Sequence, residues 1–252
     1  MINKETVINI KNLTFKYDET ESIIDNLNLE ICKGEKVAIV GANGAGKSTI
    51  LRLITGLLES VEGTISVLNE GVNHKNMKSI RNNIGYTFQD PDNQLFMPSV
   101  FEDVAFSLRQ DHIDEASIIK SVNEVLTEVG GTHLIDKASY KMSGGEKRII
   151  TLATALISKP KILILDEPSV GLDPKSRRQF IELLTERSET MIVTTHDMDL
   201  ALDLCDRVIV LNNGCIKGDD TPLNIFSNHD LINDNNLELP LAMQGCPVCK
   251  NN

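Results

Sequence analysis

Residues 41–48 read GANGAGKS, between the apolar run Val37-Ala-Ile-Val40 and the segment Thr49-Ile-Leu-Arg-Leu-Ile54. This order of strand, glycine loop and helix leaves the chain few architectures, because the loop needs a buried strand to deliver it and a helix to receive it. Gly41, Gly44 and Gly46 permit a turn tight enough to aim successive N–H groups at a polyphosphate, and the helix that follows adds the positive end of its dipole. Lys47 supplies a point charge for the β and γ phosphates, and the Ser48 hydroxyl is placed to ligate Mg²⁺. A glycine turn in an ordinary βα unit would not need the full GxxxxGKS spacing. The stretch therefore points to binding of a nucleoside triphosphate.

The flanking pattern predicts an α/β chain built on that loop. Residues 7–13, 15–17 and 23–31 alternate at period two and read as half-buried antiparallel strands, with Gly34 turning the chain into the loop strand. Strands follow at 61–67 and 83–88. From Pro91 to about Pro160 the apolar residues recur at three-and-four spacing, as in 100–106 and 118–129, so this part reads as a helical insertion. The doubly wound core resumes with a buried strand at 162–165, a helix at 174–187, a strand at 191–195 and a helix at 198–204. Residues 208–216 read as a hairpin, and Thr221-Pro222 as a helix start.

In open α/β sheets ligands bind beyond the carboxyl ends of the strands. Four of these strands end in polar or glycine residues: Val40 gives way to Gly41, Phe88 to Gln89, Leu165 to Asp166 and Glu167, and Thr195 to His196. Asp166 fits a Mg²⁺ partner, and Glu167 fits a base for the attacking water, although either carboxylate alone could simply cap the next helix. A histidine at a strand end can equally be a structural hydrogen-bond donor. Tyr17 could stack on an adenine ring or lie in the core. Met142-Ser-Gly-Gly-Glu146 reads by itself as a helix start with serine at the N-cap.

Composition narrows the class. The net charge of −11 across 252 residues argues against a broad nucleic-acid surface, so no nucleic-acid partner is expected. No apolar run is long enough to span a bilayer and MINKETVINI lacks the features of a signal peptide, which leads to an expectation of a cytoplasmic protein. Five cysteines, at 32, 205, 215, 246 and 249, form no disulfide framework. Cys246-Pro-Val-Cys249 supplies two ligands where a tetrahedral thiolate site needs four. The expectation is two reduced thiols, with a metal site shared between two chains as the alternative.

Taken in order, the glycine loop, the strand-end Gln89, SGGE at 143–146, LDEP at 165–168, GLD at 171–173 and TTHD at 194–197 resemble the ATP-binding cassette ATPases over residues 2 to about 225. The resemblance implies a P-loop NTPase core with an antiparallel β lobe and an inserted helical subdomain: core 1–89 and 161–225, helical subdomain 90–160, tail 226–252. It implies that Tyr17 stacks on adenine and that Gly41, Asn43, Gly44, Ala45, Gly46, Lys47, Ser48 and Thr49 hold the phosphates of ATP. Ser48, Gln89 and Asp166 would serve Mg²⁺, Glu167 would be the general base, and His196 would meet the γ-phosphate. Ser143, Gly144, Gly145 and Glu146 would form the signature that contacts nucleotide held by a second ATPase cassette, identical or paralogous, in a head-to-tail dimer. Asp173 would lie in the dimer-contact loop.

Met142 and Glu146 stand where leucine and glutamine are more usual, and Ile149 replaces a frequent basic residue. No catalytic position is lost. Residues 88–96, FQDPDNQLF, with SGGEKR and the late Asn236-Leu-Glu-Leu-Pro240, resemble the energy-coupling factor transporters, including the cobalt and nickel import ATPases. This subgroup implies an ATPase at the cytoplasmic face of the membrane, peripheral to integral membrane transporter subunits and driving uptake of a metal ion or vitamin. Asp90, Asp92, Glu102 and Asp103, with Gln94, Leu95 and Phe96, would line the groove that receives a membrane subunit. A general importer or exporter ATPase is the rival reading, and a soluble ATPase acting on ribosomes or nucleic acid a more distant one.

Overall fold

The structure, a computed structural model, describes residues 5–17, 22–59 and 62–244. In chain order the elements are β1 (Thr6–Phe15), β2 (Ile24–Cys32), β3 (Lys36–Val40), α1 (Lys47–Ile54), β4 (Glu62–Val67), β5 (Glu70–Gly71) and α2 (Met77–Asn82). There follow β6 (Ile84–Thr87), α3 (Val100–Gln110), α4 (Glu115–Glu128), α5 (Gly144–Leu156), β7 (Ile162–Asp166) and α6 (Pro174–Thr185). The chain closes with β8 (Thr190–Thr195), α7 (Met198–Leu204), β9 (Arg207–Asn212), β10 (Cys215–Asp220), α8 (Pro222–Ser227) and α9 (His229–Asp234). It divides into two compact units, residues 1–80 with 190–252 and residues 81–189.

The first unit carries two sheets' worth of strands. The alternating segments at the N-terminus form the antiparallel order β2-β1-β4-β5, with Ile8, Ile10 and Leu13 turned inward and fully or almost fully buried. The other strands run β10-β9-β3-β8, where β3 lies parallel to both β8 and β9 and β10 closes an antiparallel hairpin. Val37 through Val40 are wholly buried, as a parallel strand covered on both faces should be. Val37, Ile39 and Val40 each contribute about 1.5–3 kcal/mol of burial, which makes β3 a rigid stem for the loop at its end. The register pairs Val40 with Thr195.

In the second unit β6 and β7 pair in parallel, Thr87 against Leu165, and α3, α4 and α5 pack together as the expected helical run. This unit is broader than residues 90–160, since it also holds β6, β7 and α6. α5 begins at Gly144, directly after its Ser143 N-cap, and Ser143 and Glu146 close a reciprocal capping box there. α6 stops at Thr185, and Arg187 beyond it pairs with Glu128 and Glu189. No described helix is long and apolar enough to cross a membrane.

Candidate nucleotide site

The loop 41–46 leaves β3 and enters α1, and its glycines are required sterically. A Cβ on Gly41 would lie 2.2 Å from the Leu211 carbonyl oxygen in β9, and Gly44 and Gly46 have φ of 83° and 103°. Asn43 and Gly44 face solvent, whereas Ala45 is buried. Among the described helices of eight or more residues, α1 is the one without a side-chain cap and without an acidic residue in its first turn; Ser99, Asp114, Ser143 and Asp173 cap α3, α4, α5 and α6. An uncapped positive helix end behind a glycine nest fits an anion. Lys47 is 7 % exposed, and its ammonium donates to the carbonyls of Gly41 at 2.7 Å and Ala42 at 3.3 Å, so the charge is held inside the loop.

Tyr17 is not a core residue: it is 52 % exposed. Its ring meets Phe15 edge-on at 4.8 Å, and its hydroxyl lies 3.3 Å from Thr49 Oγ1, on the helix that the loop feeds. His196 follows Thr195, the partner of Val40, so histidine and glycine loop leave neighbouring strands at one sheet edge. The backbone around it is fixed on both sides. The Asp197 N–H donates to Thr195 Oγ1, and the Asp197 carboxylate caps α7 by accepting from Leu200 N–H at 2.9 Å.

In the second unit Gln89 and Glu167 each lie two residues past the pair Thr87 and Leu165, at one edge of adjacent parallel strands. Asp166 and Glu167 are 5 % and 6 % exposed, and Tyr86 donates its hydroxyl hydrogen to Asp166 Oδ2 at 3.4 Å. Glu167 takes φ of 48°, a left-handed conformation that costs a non-glycine residue about 1 kcal/mol. Such strain is tolerated where it aims a side chain. Ser143 caps α5, and neighbouring atoms crowd both glycines behind it: a Cβ on Gly144 would lie 3.3 Å from the Gly171 carbonyl and one on Gly145 2.9 Å from Ser176 Oγ. Asp173 caps α6 and accepts from the Ser176 hydroxyl, which holds its carboxyl below the usual range.

Glu146 turns back on its own helix. Its Oε1 accepts from Lys137 at 2.9 Å and its Oε2 from Ser143 N–H at 2.7 Å, and the Lys137 bond foremost pulls its pKa down to about 2. The segment after Gln89 departs further from expectation. Leu95 is buried at 3 % exposure rather than presented as an anchor. The Gln94 amide serves the fold: it reaches Tyr86 O, Thr151 O and Thr154 Oγ1, and accepts from Phe88 N–H. Asp103 is buried, accepts from the N–H groups of Phe96 and Met97, and has its pKa raised by burial. Glu102 pairs with Arg109, Asp92 with Lys147, and Asp90 caps the short turn Pro91–Asn93. Phe88, Phe96 and Phe106 stand exposed, at 38 %, 63 % and 38 %, around a cavity of 220 Å³.

The sequence reading gave no role to Arg148, the last residue of SGGEKR, which is 2 % exposed and hydrogen-bonds the strand-end loops of β6 and β7. An arginine one turn into an amphipathic helix gives no sign of whether it is solvated or buried. Among the described residues no group of three or more His, Cys, Asp or Glu side chains gathers as a metal site. Cys32, Cys205 and Cys215 are separate thiols, and burial pushes Cys205 up to about 12. Cys246 and Cys249 lie outside the described residues.

Residues 24–170 match the family described as ABC transporter. A putative ABC transporter ATP-binding protein of Geobacter sulfurreducens is 42 % identical over 243 residues, 96 % of this chain and 98 % of its own length. The energy-coupling factor transporter ATP-binding protein EcfA1 of Leuconostoc mesenteroides is 39 % identical over 93 % of this chain and 88 % of its own. The solved structure of cbiO1 from Clostridium perfringens, described as part of the ABC transporter complex cbiONQ, superposes with a TM-score of 0.83 at 35 % identity, covering 94 % of this chain and 96 % of that one. A glycine loop at an uncapped helix end, strand-end polar residues in both units and relatives aligned over nearly their whole length lead to one conclusion: this chain belongs to the ATP-binding cassette transporter family, as an ATP-binding subunit that hydrolyses ATP.

Proposed function

We propose that the chain is the ATPase of an energy-coupling-factor-type importer, peripheral to the cytoplasmic face of the membrane and driving uptake of a metal ion such as cobalt or nickel, or of a vitamin, through separate membrane subunits. The observation that carries this reading is the segment 88–96. Asp90, Asp92 and Gln94 are engaged in holding its shape, and its Phe88 and Phe96 stand exposed with Phe106 of α3 around one cavity. Exposed aromatics grouped in this way suit an apolar helix end from a partner. The similarity to EcfA1 and to cbiO1 supports the same subgroup.

The catalytic part of the proposal assigns Tyr17 to adenine and the 41–49 segment to the phosphates of ATP. Ser48, Gln89 and Asp166 would hold Mg²⁺, a hard cation that takes oxygen ligands and neutralises phosphate charge. Glu167 polarises the attacking water, and His196 hydrogen-bonds the γ-phosphate. Ser143, Gly144 and Gly145 serve the nucleotide of a second cassette, identical or paralogous. The proposed limits remain a cassette over 1–225, with helical subdomain 90–160, and a tail over 226–252. Purification of the tagged chain from membranes in mild detergent tests the transport reading. Integral membrane proteins and a retained small solute or metal should accompany it; a chain that recovers none overturns the proposal.

A further inference from the structure

We propose that Arg148 is a positioning residue that holds the backbone carrying Gln89 and Glu167 in register with the start of α5. The guanidinium donates through Nη1 to Phe88 O at 2.9 Å and through Nη2 to Gln89 O at 2.5 Å, Glu167 O at 3.3 Å and Val170 O at 3.3 Å. These carbonyls belong to two separate segments, each just past the end of a parallel strand, where the sheet ladder no longer supplies partners. One planar fork therefore replaces the missing ladder between them.

Stability alone does not account for an arginine here. Burying a guanidinium costs several kcal/mol before its bonds repay it. Burial lowers its pKa, against the opposing pull of Asp90, Asp166 and Glu167, and its Nε finds no partner among the described residues. What the arginine adds is direction: it fixes the carbonyl of Glu167, a residue already held in the left-handed region, and so fixes where its carboxylate points. The same fork grips Phe88 and Gln89, while the neighbouring Lys147 pairs with Asp92 at 2.5 Å. Any shift of the 88–92 segment is thereby passed to the segment that starts at Glu167.

The inference rests on the reading of Glu167 as the base, and its test separates the two. Steady-state ATPase kinetics are measured for Arg148→Met, Arg148→Lys and Glu167→Gln, with Leu126→Ala as a control for lost stability, since Leu126 is fully buried in α4, outside both carbonyl-bearing segments. A misplacement on the order of 1 Å is worth about 100-fold in rate. Arg148→Met should lower kcat about 100-fold with KM for ATP unchanged within about twofold, because the phosphate loop belongs to the other unit. Arg148→Lys, which keeps the charge and loses the fork, should recover about tenfold of that loss. Leu126→Ala should keep kcat near wild type wherever it remains folded. The inference is overturned if Arg148→Met loses no more kcat than Leu126→Ala at matched melting temperature, or if KM rises in step with the loss. Should the methionine variant not fold, Arg148→Lys decides: kcat about tenfold down at unchanged KM supports the role, and wild-type kcat ends it. Glu167→Gln with normal turnover would remove the base assignment instead.

Discussion

Replacing Phe96 by alanine separates a docking surface from a structural one. Phe96 is 63 % exposed, and its ring meets Phe106 edge-on at 5.2 Å. A phenylalanine presents about 200 Å² of side-chain surface, so roughly a third of it, about 70 Å², is already covered in the isolated chain. At about 25 cal/mol per Å² that fraction is worth about 2 kcal/mol by area, as an upper estimate, before the ring pair is added. The remaining area, about 130 Å², is available to a partner and is worth about 3 kcal/mol if fully covered, or about a 100-fold change in Kd. Phe96→Ala should therefore weaken binding of detergent-solubilised membrane subunits to the immobilised cassette about 100-fold while ATP affinity stays within about twofold. A Kd for the membrane subunits that moves by less than about threefold, with the variant folded, would refute the assignment of this cavity to docking.

Two further outcomes follow from the geometry. Gly41→Ala would place a methyl group 2.2 Å from the Leu211 carbonyl, so it should cost about 1–3 kcal/mol in urea unfolding and abolish binding of a fluorescent ATP analogue; unimpaired binding would contradict the loop's tight seat on β9. Lys137→Met removes the main cause of the depressed Glu146 pKa. A carboxylate depressed from 4.5 to about 2 stabilises the fold fully above pH 4.5 and loses that contribution as pH falls toward 2. The pair is partly exposed, so the variant should unfold at slightly lower urea at pH 7, by at most about 1 kcal/mol, with the gap closing between pH 4.5 and 2. A gap that does not narrow across that window would show the ion pair to be unimportant.

The sequence carried the fold where a pattern has a single physical solution. Four buried aliphatics ending in a glycine loop or in paired carboxylates allow little but parallel strands, and 37–40 and 162–165 form them. Period-two alternation at 7–13 and 23–31 gives antiparallel strands for the same reason. Side-chain commitment was not legible. Asp90, Asp92, Glu102 and Asp103 look alike in sequence, yet one caps a turn, two sit in ion pairs and one is buried on backbone N–H groups. Leu95 was expected to face a partner and instead fills the interior, while Gln94 lines the cavity but spends its amide on the fold, since type and spacing do not say which way a short 3₁₀ turn will face. The role of Arg148 was illegible for the opposite reason, because its partners are backbone carbonyls, which every sequence has.

The central claim is that the strand-end carboxylate Glu167 drives hydrolysis while the 41–49 loop binds the nucleotide. Single-turnover release of phosphate from ATP bound to Glu167→Gln, alongside its equilibrium ATP affinity, tests it most directly. The account predicts affinity within about twofold of wild type and a hydrolysis rate about 1,000-fold lower. A Glu167→Gln protein that releases phosphate within about threefold of the wild-type rate would contradict it.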